Sequence, residues 1–272
     1  MATTMERPQP APVHPRPRRG APWPVEFYRS AVGKKWVMAL TGIMLMGFVF
    51  FHALGNLKVY LGAEEFNHYG EFLRELLVPI LPRTVTLWLL RIGLIVAFAL
   101  HIHSAFSLTR MNQRANAGGY EQKRDWQAAN AASRSMRLTG VVFGLFLLFH
   151  LADLTWGTVN PDFVRGDVYR NFVATFDRPV VAIIYIVANL ALGLHLFHGA
   201  WSMFQSLGLN NPRWNAWRRG FAIGFAGLIA AVNITFPISV MLGIVDAKDN
   251  PDCKVNGDVI VSCDLTNEEA RG

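Results

Sequence analysis

Residues 36–61, WVMALTGIMLMGFVFFHALGNLKVYL, form an apolar run that carries a single histidine. The run exceeds the roughly 20 residues that a helix needs to cross a bilayer. Four further runs of this kind follow at about 84–108, 136–156, 179–207 and 217–245 in the 272-residue chain, which is 52% hydrophobic and 17% charged. Strands of a membrane barrel would be about 10 residues long and alternate in polarity. The sequence therefore predicts an all-α membrane protein, a bundle of five transmembrane helices.

Basic residues cluster at one end of these predicted spans. They precede the first span and fill the connections between spans two and three and between spans four and five. Because such loops face the cytoplasm, the N-terminus is predicted to be cytoplasmic and the C-terminus to be outside, in the cell (inner or plasma) membrane. The same bias explains most of the net charge of +7, so no nucleic-acid partner is expected. The first run is also too long for a cleaved signal peptide.

Composition divides the chain into three parts. Residues 1–24 are rich in Pro and Arg and predict a flexible cytoplasmic arm, 25–246 hold the five-helix domain, and 247–272 form an acidic external tail. The tail segment CKVNGDVIVSC predicts a hairpin closed by a Cys253–Cys263 disulfide, with two free thiols as the alternative. The amphipathic loop after span one predicts a short surface helix. The absence of a CxxC motif argues against an iron–sulfur cluster in this chain.

The first four spans each contain a histidine at a defined depth: His52, His101, His150 and His195. At 1.5 Å per residue, His52 and His150 lie about 24 and 21 Å from the cytoplasmic face, and the other two lie about 25 Å from the outer face. The two levels are roughly 15–18 Å apart, and each holds two imidazoles from different helices. This arrangement is typical of metal ligation of two haems by paired histidines in a bundle. For any single position, a buried structural histidine or a proton relay is the alternative.

Other polar residues near these levels are further candidates. His103 and His198 lie beside two of the predicted ligands and could instead bond a propionate, a quinone oxygen or a backbone carbonyl. Candidate propionate partners are Arg91 at the outer level and Arg110 and Lys35 at the inner level, with simple membrane anchoring as the alternative. Asp153 follows His150 by one turn and could bond a ligand, relay protons or accept from a neighbouring helix.

Four motifs carry a family resemblance: GKKWVMALTGIMLMGFVFFHALGN, LHIHSAFSLTRMNQRA, LFHLADL and LHLFHGAWSMFQSLGLNN. They resemble the cytochrome b membrane subunit of succinate dehydrogenase and fumarate reductase, in the five-helix, two-haem form with one polypeptide as the whole anchor. The resemblance covers about residues 30–245. It selects His101 over His103 and His195 over His198 as ligands. It also pairs helices one and three for the outer haem and helices two and four for the inner haem.

The resemblance implies an electron-transfer subunit of succinate dehydrogenase (quinone). A flavoprotein subunit and an iron–sulfur subunit on the cytoplasmic face would be its partners, and electrons would reach a quinone, in this form menaquinone, through two b haems. Succinate and flavin chemistry would lie in the partners, so no catalytic residue is predicted here, and the complex could form a higher oligomer. Candidates for contacting quinone are His68, Tyr69, Glu71 and Glu75 on the outer side, and Ser30, Trp36 and Trp201 on the inner side.

Two other functions remain as alternatives to this interpretation. One is a two-haem anchor of another quinone-linked dehydrogenase, such as a formate dehydrogenase or hydrogenase. The other is a non-redox transporter with histidine relays, which predicts inverted repeats. We find no convincing internal repeat in the sequence.

Overall fold

The computed structural model of the chain describes residues 21–115 and 131–246 (131–134 by backbone alone), and the backbone of two strands near the C-terminus. The helices are α1 Trp23–Arg29, α2 Ala31–Asn56, α3 Ala63–Arg74, α4 Val85–Ala115, α5 Ala131–Leu154, α6 Val168–Phe176, α7 Pro179–Ser206 and α8 Asn215–Met241. Short 3-10 turns continue α2 and precede α8. The arm up to residue 20 and most of the loop between α4 and α5 lie outside the described residues.

Within these ranges, five helical segments are long and apolar enough to cross a membrane. They cover 31–61, 85–115, 135–154, 179–206 and 212–241, which are the five predicted runs with shifted ends. The chain is therefore a multi-pass membrane protein with an all-α bundle. Its orientation in the membrane stays a prediction; "inner" and "outer" below follow that predicted orientation.

The helices pack as neighbours in a defined order. The most extensive contact joins α7 and α8, followed by α2 with α4 and α5 with α7, and α2 also contacts α7 and α8. Gly193 permits the close approach of α7 to α8, because a Cβ there would lie 3.1 Å from the Ala230 methyl group. Leu192, Leu196 and Ile229 are buried in this contact and form part of one apolar core.

A second apolar core closes the outer end. The short helices α3 and α6 bury Phe66, Phe172 and Phe176 against Tyr185 and Phe236 of the spanning helices. The first of these helices confirms the surface helix expected after span one. The second, α6, was not predicted from the sequence.

At the inner end, α1 is fastened to the start of α2. The Ser30 hydroxyl accepts from the Gly33 N–H at 2.9 Å and donates to the Phe27 carbonyl at 2.7 Å. A Cβ at Gly33 would lie 1.9 Å from the same carbonyl, so this close turn requires glycine. Ser30 is thus the N-cap that starts α2 at Ala31, five residues before the apolar run itself begins.

The C-terminal tail contains a two-stranded antiparallel hairpin. Strands β1 Cys253–Asn256 and β2 Val259–Cys263 pair so that Cys253 and Cys263 are Cα partners. The hairpin backbone therefore agrees with the sequence expectation. The two cysteine side chains lie outside the described part of the chain, and the disulfide stays a prediction.

Candidate functional site

The two outer histidines meet between α2 and α5. The ring centres of His52 and His150 are 5.9 Å apart and the ring planes are nearly perpendicular, at 89°. Phe48 stacks on His52 at 5.3 Å, and Phe146 lies 5.9 Å from His150. A metal ion about 2 Å from one nitrogen of each imidazole would hold the ring centres roughly 6 Å apart. The separation of the two ring centres is therefore the separation expected for two ligands of one ion.

The inner histidine of α4 is held by α2 through a single ring nitrogen. His101 Nδ1 lies 3.1 Å from the Met38 carbonyl oxygen and 3.2 Å from Thr41 Oγ1. The Thr41 hydroxyl donates its own hydrogen to the Val37 carbonyl at 2.7 Å, so its oxygen accepts from the imidazole. Because both partners accept, Nδ1 carries the proton and the Nε2 lone pair is free. Metal-binding histidines are commonly held in this way.

The inner histidine of α7 is held by α5 in the same manner. His195 Nδ1 lies 3.4 Å from Thr139 Oγ1. The Thr139 hydroxyl again donates to its own helix, to the Ser135 carbonyl at 3.0 Å. The inner pair thus presents two imidazoles of one tautomer, each with Nε2 free.

Glycine lets each imidazole lie close to the helix that holds it. A Cβ at Gly42 would be 3.5 Å from His101 Cε1, and a Cβ at Gly140 would be 3.3 Å from His195 Cε1. Both glycines directly follow the threonine that contacts the ring. We refer to the Met-x-Leu-Thr-Gly segments of α2 and α5 as the two clasps.

The clasps reveal a direct repeat that the sequence interpretation missed. Residues 38–42 read MALTG and 136–140 read MRLTG, and His52 and His150 follow them at an identical spacing. The shared motif is short, and nearly 100 residues separate its two copies. Both copies run in the same direction, unlike the inverted repeats common in transporters.

The paired histidines come from helices that do not pack closely against each other. Across the described ranges, neither α2 with α5 nor α4 with α7 is among the packed helix pairs. Gly47 and Gly144 lie between the clasp and the outer histidine on α2 and α5, and a Cβ at either would meet nothing within 4 Å. Each histidine pair therefore joins two helices that are not in close backbone contact.

A buried polar network adjoins the outer pair. The Tyr185 hydroxyl lies 3.3 Å from His150 Nδ1 and 3.3 Å from Asp153 Oδ2. Asp153 is fully buried; it accepts from the Thr175 hydroxyl at 2.9 Å and forms an ion pair with Arg178. Sequence reasoning missed Tyr185, although a lone tyrosine inside an apolar span was a usable signal.

The two competing histidines have different surroundings. His103 Nδ1 lies 2.5 Å from the Tyr28 hydroxyl, and the two rings stack with centres 5.8 Å apart, so His103 faces α1. His198 is partly buried and makes no hydrogen bond within the described ranges. These surroundings agree with ligation by His101 and His195 at the inner level, which stays a prediction.

The predicted propionate partners lie over aromatic rings of their own helix. The Arg91 guanidinium is 5.2 Å from the Trp88 ring centre, and that of Arg110 is 4.8 Å from the Phe106 ring centre. Both arginines are exposed, as expected of residues that anchor a helix in the headgroup region. Their contact with propionates stays a prediction.

The outer quinone candidates lie on or just after α3. Glu71 forms ion pairs with Arg74 and, at 2.5 Å, with Arg83, and Glu75 lies 3.8 Å from Arg83. His68 is exposed. Tyr69 lies against α2 so closely that a Cβ at Gly55, one turn beyond His52, would be 2.8 Å from its hydroxyl oxygen. The tyrosine thus lies against α2 one turn beyond the outer pair.

The inner quinone candidates are mostly engaged in structural contacts. Ser30 caps α2 with its hydroxyl, as described above. The Trp201 ring is covered by Arg218, whose guanidinium lies 4.5 Å from the ring centre. Trp36 is 40% exposed. Ser30 is therefore the inner candidate whose polar group is already used in a helix cap.

The chemistry of the donor set suits haem better than a bare ion. Among the described residues, no group of three or more His, Cys, Asp or Glu side chains is placed to hold a metal. A site with two imidazoles per ion needs other donors, and a porphyrin supplies four. The paired imidazoles, their tautomer and the spacing between the helices are consistent with bis-histidine haem.

One comparison with known proteins gives a match. Residues 111–234 match the family model described as succinate dehydrogenase/fumarate reductase transmembrane subunit. The matched segment holds His150 and His195, and the direct repeat relates His150 to His52. The match supports this family, whose members are membrane subunits of succinate dehydrogenase and fumarate reductase complexes, which are oxidoreductases. No curated protein and no solved structure matches the chain.

Proposed function

We propose that this chain is the membrane anchor and electron-transfer subunit of a succinate:quinone oxidoreductase and binds two b haems. His52 and His150 would ligate the outer haem, and His101 and His195 the inner one. The observation that carries the proposal is the pair of clasps. Two copies of one motif hold two imidazoles by Nδ1 and leave both Nε2 atoms free to bind iron.

The residues of the chain would orient the ligands and exclude water. Bound haem would supply a one-electron carrier at each level. The clasps fix the rotation of the inner imidazoles, and Phe48 and Phe146 pack against the outer ones. Ligand pairs at two depths suit a subunit that links an iron–sulfur partner on the cytoplasmic face to a membrane quinone. The flavoprotein partner would oxidise succinate.

We place the quinone on the outer side, near Tyr69. Its hydroxyl makes no hydrogen bond within the described ranges and lies one turn beyond His52, against α2. Ser30 and Trp201, by contrast, are occupied by a helix cap and by an arginine. A phenol hydroxyl free to donate suits a quinone carbonyl oxygen. The two-haem form of the family favours menaquinone as that quinone.

The haem content of the purified protein tests this function. The complex containing this chain should show the reduced bands of b-type haem and two haems per chain in a pyridine haemochrome assay. Succinate should reduce at least one of them. A preparation of folded complex without haem would refute the proposal, and one haem per chain would refute the two-site assignment.

Removing one clasp hydroxyl should loosen one inner ligand. A neutral hydrogen bond contributes about 1 kcal/mol, so Thr41→Val or Thr139→Val should make the inner haem dissociate about fivefold faster during detergent dilution. The outer haem should be unaffected. Haem loss followed by absorbance, with electron paramagnetic resonance to separate the two haems, measures this.

Thr109→Val is the matched control for the clasp variants. Thr109 makes the same bond to its own helix, to the Ala105 carbonyl at 2.9 Å, and makes no hydrogen bond to a histidine among the described residues. It should retain both haems as the wild type does. Equal loss in all three variants, or loss of the outer haem, would contradict the assignment of the clasps.

A further inference from the structure

We propose that Tyr185 and Asp153 position and polarise His150, so that a buried carboxylate lowers the reduction potential of the outer haem. This inference rests on the proposed function and assigns two positioning residues to its outer site. It follows from a difference between the surroundings of the inner and outer pairs.

The first step is the direction of the hydrogen bonds. Asp153 accepts from Thr175 and pairs with Arg178, the pattern of an ionised carboxylate. The Tyr185 hydroxyl therefore donates to Asp153 Oδ2, and its oxygen can accept the Nδ1 proton of His150. The carboxylate, the phenol and the imidazole form one chain that leaves His150 Nε2 free for iron.

The second step is the contrast with the other three ligands. His101 and His195 are held by neutral carbonyl and hydroxyl oxygens alone. His52 makes no hydrogen bond among the described residues and is stacked on Phe48. In the described structure, a charged group is thus linked by hydrogen bonds to only one of the four imidazoles.

The third step is the effect of that charge on a ligated imidazole. A hydrogen-bond acceptor on the remote nitrogen makes the imidazole a stronger donor to the metal. Stronger donation stabilises the oxidised iron and lowers its reduction potential. Asp153 has 0% exposure, so water screens its charge little. The outer haem should accordingly be the one that is harder to reduce.

The network also ties this ligand to the outer surface. Arg178 bonds the carbonyls of Val159 and Ala174 at 3.0 and 3.1 Å, and its side chain is 26% exposed. The arginine therefore joins the external loop, the end of α6 and Asp153. The arginine balances part of the carboxylate charge and so stabilises the buried Asp153–Tyr185–His150 hydrogen bonds. The Tyr185 oxygen remains able to accept from His150.

Tyr185→Phe tests the proposal in the intact complex. It removes the hydroxyl but keeps the ring that packs against Phe146 and Phe176, with ring centres 4.8 and 4.9 Å away. In a redox titration followed by absorbance, we expect one of the two haems to titrate at a higher potential and the other to be unchanged. The electron paramagnetic resonance signal of the same haem should shift, with both haems retained.

Tyr60→Phe is the matched control. The Tyr60 hydroxyl lies at the same end of the bundle but bonds Thr235 and Ser239, at 3.0 and 3.3 Å. Its removal should leave both potentials at the wild-type values. If Tyr60→Phe shifted a haem potential by as much as Tyr185→Phe, the shift would come from any change at the outer end of the bundle. That result would overturn the proposal.

Asp153→Asn removes the carboxylate charge and keeps the Tyr185 hydroxyl, so it tests the two contributions separately. It should shift the same haem in the same direction, and the double variant with Tyr185→Phe should shift it no further than the larger single change. If the asparagine variant does not assemble, Tyr185→Phe alone decides. Two haems with unchanged potentials in Tyr185→Phe would overturn the inference, whereas a wild-type complex without haem would overturn the proposed function instead.

Discussion

Replacing any one of the four paired histidines by alanine should leave one haem per chain instead of two. His52→Ala and His150→Ala should lose the outer haem, because either change leaves one imidazole where the two ring centres are now 5.9 Å apart. His101→Ala and His195→Ala should lose the inner haem. Pyridine haemochrome gives the number, and electron paramagnetic resonance shows which signal remains.

His103→Ala and His198→Ala are the controls for this series. His103 hydrogen-bonds Tyr28. His198 lies one turn after His195, the predicted ligand that Thr139 contacts. Both variants should retain two haems. If His103→Ala removed a haem while His101→Ala did not, the assignment of ligands in α4 would be wrong, and the same comparison decides between His195 and His198 in α7.

Removing the guanidinium of Arg178 should destabilise the protein by about 3 kcal/mol, because a buried carboxylate would lose its ion-pair partner. The carboxylate is that of Asp153, with 0% exposure. Arg178→Ala should therefore lower the unfolding temperature in detergent, and the fraction of folded protein should fall steeply on mild heating. Arg165→Ala is the control, since Arg165 is exposed and forms no ion pair among the described residues.

A second change distinguishes the charge from other contacts of Arg178. Adding Asp153→Asn to Arg178→Ala should restore part of the lost stability, since the buried charge is then removed. Two outcomes would contradict the ion pair as the source of the lost stability. One is that Arg178→Ala is as stable as Arg165→Ala, and the other is that the double variant is less stable than Arg178→Ala.

The spanning helices could be predicted from sequence for simple physical reasons, whereas the depth of their histidines in the membrane stays a prediction. A helix rises by a constant amount per residue, so position within an apolar run gives depth. The start of α2 could not be found in this way. Lys34 and Lys35 are polar, yet Ser30 caps the helix before them, and Lys34 folds back onto the carbonyls of Tyr28 and Arg29.

The contacts that hold the imidazoles were beyond sequence reasoning. Thr41 and Thr139 contact imidazoles that belong to neighbouring helices. The spacing of residues within one helix does not show which residues of two helices come together. The shared Met-x-Leu-Thr-Gly motif was visible, and it would have indicated the threonines had the two copies been aligned. Tyr185 and Asp153 are brought together by α5 and α7 packing side by side.

Paired double variants test the central claim, that the four histidines act as two pairs across the bundle. The within-pair variants are His52→Ala/His150→Ala and His101→Ala/His195→Ala, and a cross-pair variant is His52→Ala/His101→Ala. Haem per chain, measured on folded complex, should be one in each within-pair variant and zero in the cross-pair variant. One haem in the cross-pair variant, or none in a within-pair variant, would contradict the pairing.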